Sequence, residues 1–183
     1  MSLTRTYDAS SETLSLTDVK NHLRITGTDE DDVLLQFIAA IRQKTETYLR
    51  RTLVTSTWVQ TLDNFPELVR LDMGPVQSIT SISYIDVDGN TQAYTTFQYD
   101  STGRLLPAWG YTWPSTRDQL EAVTITYVCG ATHAGNVQQD IKLAMLLWIG
   151  SMDINRENTA FSQVSVIPES AKSILNMYRD WQL

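Results

Sequence analysis

The sequence predicts an α+β fold in which a helical bundle core is interrupted by a small antiparallel β domain. Three observations carry this reading. Apolar residues recur at helical spacing through the first third of the chain, the texture then changes to short alternations rich in β-branched and aromatic residues, and the helical period returns after Asn136. The divisions that follow are 1–54 for the N-terminal helices, 55–130 for the inserted β block and 131–183 for the helices that complete the bundle.

The first helix is expected in TDVKNHLRI, with Thr17 as N-cap, Val19, Leu23 and Ile25 as apolar positions and Gly27 as its end. A second begins at TDED, where Thr28 followed by Asp31 resembles a capping box. Asp29 to Asp32 load carboxylates onto the positive end of its dipole. Leu34, Phe37, Ile38, Ile41, Tyr48 and Leu49 keep helical spacing to about Leu53, and Arg42, Lys44, Glu46 and Arg50 are assigned to the opposite, wet face.

Strands are predicted in STWVQTL, LVRL, GPVQSITSISYIDVDGN and EAVTITYV. The last alternates cleanly, as a sheet with one wet side should. The third, Gly74 to Asn90, slips: Ile82 and Tyr84 point one way, Ile79, Ile85 and Val87 the other, so both faces need cover, from a second layer or from another molecule. Asp88-Gly89 suits a tight hairpin turn. In NVQQDIKLAMLLWIGSMDINRE apolar residues nearly complete the helical circle, which marks a central helix. A final helix starts after Pro168 and carries Ala171, Ile174, Leu175 and Tyr178.

Composition excludes several function classes. With 42% hydrophobic and 19% charged residues the chain is an ordinary globular one, and its 183 residues suffice for a stable core. A net charge of -7 and a pI near 4.7 argue against a surface built to neutralise phosphates. The N-terminus shows no apolar signal segment, LAMLLWIG is far short of the roughly 20 residues a membrane span needs, and the single Cys129 forms no internal disulfide. Synthesis in a reducing cytoplasm, with no membrane association, is the expectation.

Catalytic motifs are missing. There is no G-x-S-x-G, P-loop, G-x-G-x-x-G or H-E-x-x-H, and two histidines with one cysteine make a poor zinc set. Asp86-Val87-Asp88-Gly89 fits a hairpin turn better than a calcium loop, which needs further ligands downstream, and helix capping accounts for Asp29 to Asp32. His22 and His133 read as solvated, and a small hydrolase centred on His133 is the lesser alternative. The expectation is no enzyme, no metal and no cofactor. The loop LPAWGYTWPS brings Trp109, Tyr111 and Trp113 close together. They could cap the β block, anchor a protein partner or stack on a sugar, and the last gives an alternative function, a carbohydrate- or host-surface-binding module.

Several stretches in order resemble one family: DVKNHLRI, DDVLLQFIAAIRQKTETYLRRTL, PVQSITSISYIDVDGN, RLLPAWGYTWP, VTITYVCGA, QDIKLAMLLWIGSMDINRE and the closing YRDW. Together they are similar to the head-tail connector (adaptor, or head completion) proteins of tailed bacteriophages, also found in prophages and gene transfer agents. The segment VSVIPES matches the family only loosely. The resemblance implies a structural virion protein at the head-tail junction. It implies a ring, typically of about twelve copies, beneath the portal protein, closing the DNA-filled head and receiving neck (stopper) or tail-completion proteins. DNA would pass through without sequence-specific binding, which a negative charge favours. On this view Ile79, Ile82, Tyr84 and Ile85 are candidate subunit contacts, Trp109, Tyr111 and Trp113 are candidates for subunit or tail-side contact, and Tyr178, Arg179 and Trp181 are candidates for portal docking.

Overall fold

The computed structural model of the chain describes residues 2–7, 11–154 and 167–179. Among them the chain forms eight strands and four α-helices, divided between two compact units. One unit comprises Met1–Ser10 with Thr55–Ala131, the other Ser11–Val54 with Thr132–Leu183.

The first unit is built from β1 (Ser2–Tyr7), β2 (Ser56–Leu62), β3 (Val69–Arg70), β4 (Val76–Ile85), β5 (Thr91–Ala93), β6 (Phe97–Tyr99), β7 (Arg104–Pro107) and β8 (Val123–Cys129). They make two antiparallel sheets, ordered β1-β2-β8-β4-β5 and β3-β7-β6. In β2 and β8 the alternation places Trp58, Val123, Ile125, Tyr127 and Cys129 inward, and Val69, Leu71 and Leu105 join them in one core. The Tyr127 hydroxyl accepts a hydrogen bond from the Met73 N–H at 3.3 Å, which satisfies a polar atom that is fully enclosed. β4 runs against β8 with two bulges, between Val76 and Ser78 and between Ile79 and Ser81. Each bulge shifts the side-chain alternation, which is why apolar residues fall on both faces of this strand in the sequence.

The second unit holds α1 (Leu16–Leu23), α2 (Asp31–Leu49), α3 (Gln139–Ile154) and α4 (Glu169–Asn176). α3 packs against the other three and buries Ile141, Ala144, Met145, Trp148 and Ile149, while Leu143 and Ile154 remain exposed. The N-cap of α1 is Ser15, in a reciprocal capping box with Asp18, rather than Thr17, and its C-cap is Arg24 in the left-handed region, ahead of Gly27. α2 starts at Asp31 with no side-chain cap; the Asp31 N–H reaches the Thr28 carbonyl instead.

Two expectations are corrected. The fold is not a helical bundle core with a small β insertion. It is β-rich, because the strands form two sheets with their own core and two of the four helices have only eight residues. The wet face assigned to α2 is also partly wrong. Arg42 and Glu46 are each 1% exposed. Arg42 donates from Nη1 to Glu46 at 3.2 Å and from Nε to Glu12 at 2.8 Å, and Glu46 Oε1 accepts the Leu53 N–H at 2.9 Å. Mutual neutralisation is what lets both charges leave water.

Candidate partner-docking surface

The loop after β7 separates its three aromatic residues by role. Trp113 lies flat on Phe65, with ring centroids 4.5 Å apart and planes 2° from parallel, and beside Tyr94, while Phe65 meets Tyr84 edge-on. Its indole N–H donates to the Glu67 carbonyl at 3.3 Å, and Tyr94 donates to the Thr112 carbonyl at 3.4 Å. Burial among these rings raises the Tyr94 pKa. Ala108 to Tyr111 closes a turn through the Tyr111 N–H and the Ala108 carbonyl, with Gly110 at φ 82, the positive value that the third position of a type II turn needs. Trp109 therefore stands at the turn's second position, 96% exposed, and Tyr111 follows at 62%. The base of the loop is fixed by stacking and hydrogen bonds while its tip offers two bare rings. Such a pre-ordered aromatic knob loses little entropy on binding.

The second candidate set falls on β4. Ile82 is 2% exposed and lies within the chain's own core. Ile79 and Tyr84 pack partly against that core, and Ile85 is half-buried. Beyond Ile85 the hairpin turn is tied by Asp86: its Oδ1 accepts the Asp88 and Asn90 N–H groups, and its Oδ2 accepts from Gln92. These bonds, that from Gln92 foremost, hold its pKa below the usual carboxylate value. The carboxylate that invites a calcium reading is thus spent on the turn. Among the described residues no group of three or more His, Cys, Asp or Glu side chains is placed to hold a metal ion, and His22 and His133 are exposed.

The third set closes the helical unit. Tyr178 donates to Asp140 Oδ2 at 2.8 Å, which raises the phenol pKa, and the Arg179 guanidinium lies 4.9 Å from the centre of the Tyr48 ring. Both side chains thus tie the end of α4 back to α2 and α3. Trp181 lies outside the described residues. What the sequence reading misses is charge placement on the smaller sheet. Arg70 and Arg104 are direct cross-strand partners and both are exposed. Their opposition follows from the pairing of β3 with β7, and β3 is only two residues long, too short to show a strand period in the sequence.

No curated protein matches the sequence. Among solved structures, a chain from the neck of an empty GTA particle, computed with C6 symmetry, has a TM-score of 0.80 at 18% identity. The match covers 100% of this chain and 97% of that one. A chain from the virion of a native gene transfer agent (GTA) particle gives 0.79 at 18%, and one from the neck of a native GTA particle computed with C12 symmetry gives 0.78 at 17%, each with the same coverage. Likeness at this identity establishes the fold over the whole length, β1 included. The sequence model of head completion proteins matches residues 12–181, nearly all of the chain, so the chain belongs to the head completion protein family, the head-tail connectors that its ordered sequence stretches resemble.

Proposed function

We propose that this chain is a structural head-tail connector that acts as a ring in the neck of a tailed particle, without catalysis. The observation that carries the reading is membership of the head completion family over residues 12–181, and a fold shared end to end with chains of GTA necks supports it. No helix among the described residues is long and apolar enough to cross a membrane. The ring sits beneath the portal, holds DNA in the filled head and receives a neck or tail-completion protein. The net charge of -7 fits a channel through which DNA slides, since a lining of cations would grip phosphates.

Within this reading Trp109 and Tyr111 are the contacts toward the tail side or a neighbouring subunit, because they are exposed on a fixed turn. Ile79, Tyr84 and Ile85 remain candidates at the subunit boundary through their uncovered portions, whereas Ile82 acts through the core. Tyr178, Arg179 and Trp181 stay candidates for portal docking. Deleting the reading frame from the particle-producing genome tests the function. Electron microscopy should then show tailless heads that have lost their DNA beside free tails, restored to whole particles by the gene in trans. Complete tailed particles from the deletion would overturn the proposal.

A further inference from the structure

The five-stranded sheet has a second face, and the two bulges in β4 shape it. They bring Val76, Ile79, Ile82 and Tyr84 all to the core side and leave Ser78, Ser81 and Ser83 on the other. The register aligns these serines with short uncharged side chains of the neighbouring strands. One row, Thr4–Val59–Thr126–Ser81, crosses four strands, and a second, Thr57–Val128–Ser78, lies beside it. Every residue of both rows is exposed or half-buried, and none is charged. The third row, Thr61–Thr124–Ser83, ends at a carboxylate: Glu121 Oε1 accepts from the Ser2 and Thr61 hydroxyls at 3.0 and 3.1 Å. The neutral part of the face is therefore the first two rows.

The aromatic loop is the other uncharged surface of this unit. Leu105–Thr116 runs twelve residues without a charge, in a unit whose sequence carries nine carboxylates and four arginines. The two surfaces lie on opposite sides of the sheet. Trp113, at the base of the loop, packs with Phe65 and Tyr94 against the core, whereas Ser78 and Ser81 point away from that core. Trp109, 96% exposed, does not touch the hydroxyl face within one chain.

Charge decides which partner fits these surfaces. An unlike protein can answer an acidic surface with a basic one, but a second copy brings the same net charge of -7, and like charges set against each other cost affinity. Copies therefore meet best where both surfaces are neutral, as the charge-depleted centres of interfaces are. The chemistry also matches. Val59 and the threonine methyls offer aromatic rings an apolar floor, and the Thr126 and Ser81 hydroxyls can accept from an indole N–H and a phenol. Four strands at a spacing of about 4.8 Å make that floor about 14 Å wide, room for two rings side by side. We infer that the Trp109–Tyr111 tip of one copy lies on the Val59–Thr126–Ser81 row of the next, as one head-to-tail contact of the ring. The inference rests on the connector reading above and deepens it, committing the tip to a neighbouring copy. A tip on one side of the unit and its seat on the other make a heterologous contact, the kind that closes into a cyclic ring rather than a two-fold dimer. Two such rings bury about 300–500 Å2, less than the about 800 Å2 a side of a stable pair, so this contact acts together with others around the ring.

The test uses assembled particles carrying Tyr111→Cys together with Ser81→Cys, oxidised and run on a non-reducing gel; Trp109→Cys with Ser81→Cys reads the opposite seating of the two rings. All three positions are exposed, and Cys129 is buried, so it does not compete. One of the two pairs is expected to give a ladder of multiples of the chain, and each single variant the monomer alone. Adding Ser78→Asp should lower the ladder yield about fivefold, and Ser78→Ala should leave it within about twofold, because the aspartate sets a bare charge beside the rings. Thr4→Asp, on the edge strand, where folding tolerates a charge, should give the same drop if Ser78→Asp shifts the urea midpoint. A ladder that both aspartates leave intact, no ladder from particles that contain the chain, or a cross-link to a different virion protein overturns the inference and leaves the connector reading standing. Whole particles that lack the chain altogether overturn the connector reading, and the inference with it.

Discussion

Replacing Glu46 by alanine puts a number on the buried charge network of the helical unit. The carboxylate is 1% exposed; it faces the Arg42 guanidinium at 3.2 Å and accepts the N–H of Leu53 at 2.9 Å. Removing one member of a buried ion pair costs about 3–5 kcal/mol. The lower end applies here, because Glu12 still holds Nε and Nη2 of Arg42. The stranded Leu53 N–H adds about 1 kcal/mol, for a total near 4 kcal/mol. Glu46→Gln keeps an acceptor for Leu53 and loses only the charge, so about 2 kcal/mol is expected. Glu12→Ala should cost about 1 kcal/mol, since that side chain is 33% exposed and water screens and replaces it. Urea unfolding followed by circular dichroism at the helical band gives all three values. A loss below about 1 kcal/mol for Glu46→Ala, or one no larger than for Glu12→Ala, would refute the claim that mutual neutralisation holds these charges inside.

Other expectations follow from the same geometry. Trp113→Ala should destabilise the β unit by about 2–3 kcal/mol through loss of the Phe65 stack, whereas Trp109→Ala should stay within about 0.5 kcal/mol and instead impair assembly into particles; equal effects on urea midpoints would contradict the division of roles. Gly103→Ala should cost more than Gly89→Ala. Both have positive φ, but a Cβ at 103 meets the Leu71 backbone oxygen at 3.0 Å, while at 89 it meets the movable end of Arg117; Gly27→Ala, with open space around it, should be nearly neutral in thermal melts. Burial pushes the Tyr127 pKa up, so above the ordinary tyrosine pKa of about 10 the unfolded chain loses a proton that the folded chain keeps. Stability from this group is complete below that pH and falls by about 1.4 kcal/mol per pH unit above it. Tyr127→Phe should flatten the alkaline loss in urea titrations at pH 9 and 11, and an unchanged slope would count against it.

The sequence made β2, β4 and β8 legible because seven to ten residues are enough to show a period of two. β5, β6 and β7 have three or four residues each, too few for any period, and in β1 only Leu3 and Tyr7 are hydrophobic, too few to set one, so its pairing with β2 is not legible. Periodicity therefore favours the long helices over short strands that become visible only through their partners. The same limit governs the site. Trp109 and Trp113 are the same residue type four positions apart, and what buries one of them is Phe65, far away in sequence. Arg42 and Glu46 read as surface by type alone; Glu12, thirty residues upstream, is part of what brings them inside. The family resemblance does not depend on the architecture, because it rests on ordered local stretches.

Whether this chain forms a ring in the neck is decided by cryo-electron microscopy of the particle's head-tail junction, with the reconstruction traced by side-chain density. A ring of this chain is expected below the portal, with Trp109 and Tyr111 in contact with a neighbouring subunit or the tail-side protein. A junction built without the chain, or the chain located at the distal end of the tail, would contradict it.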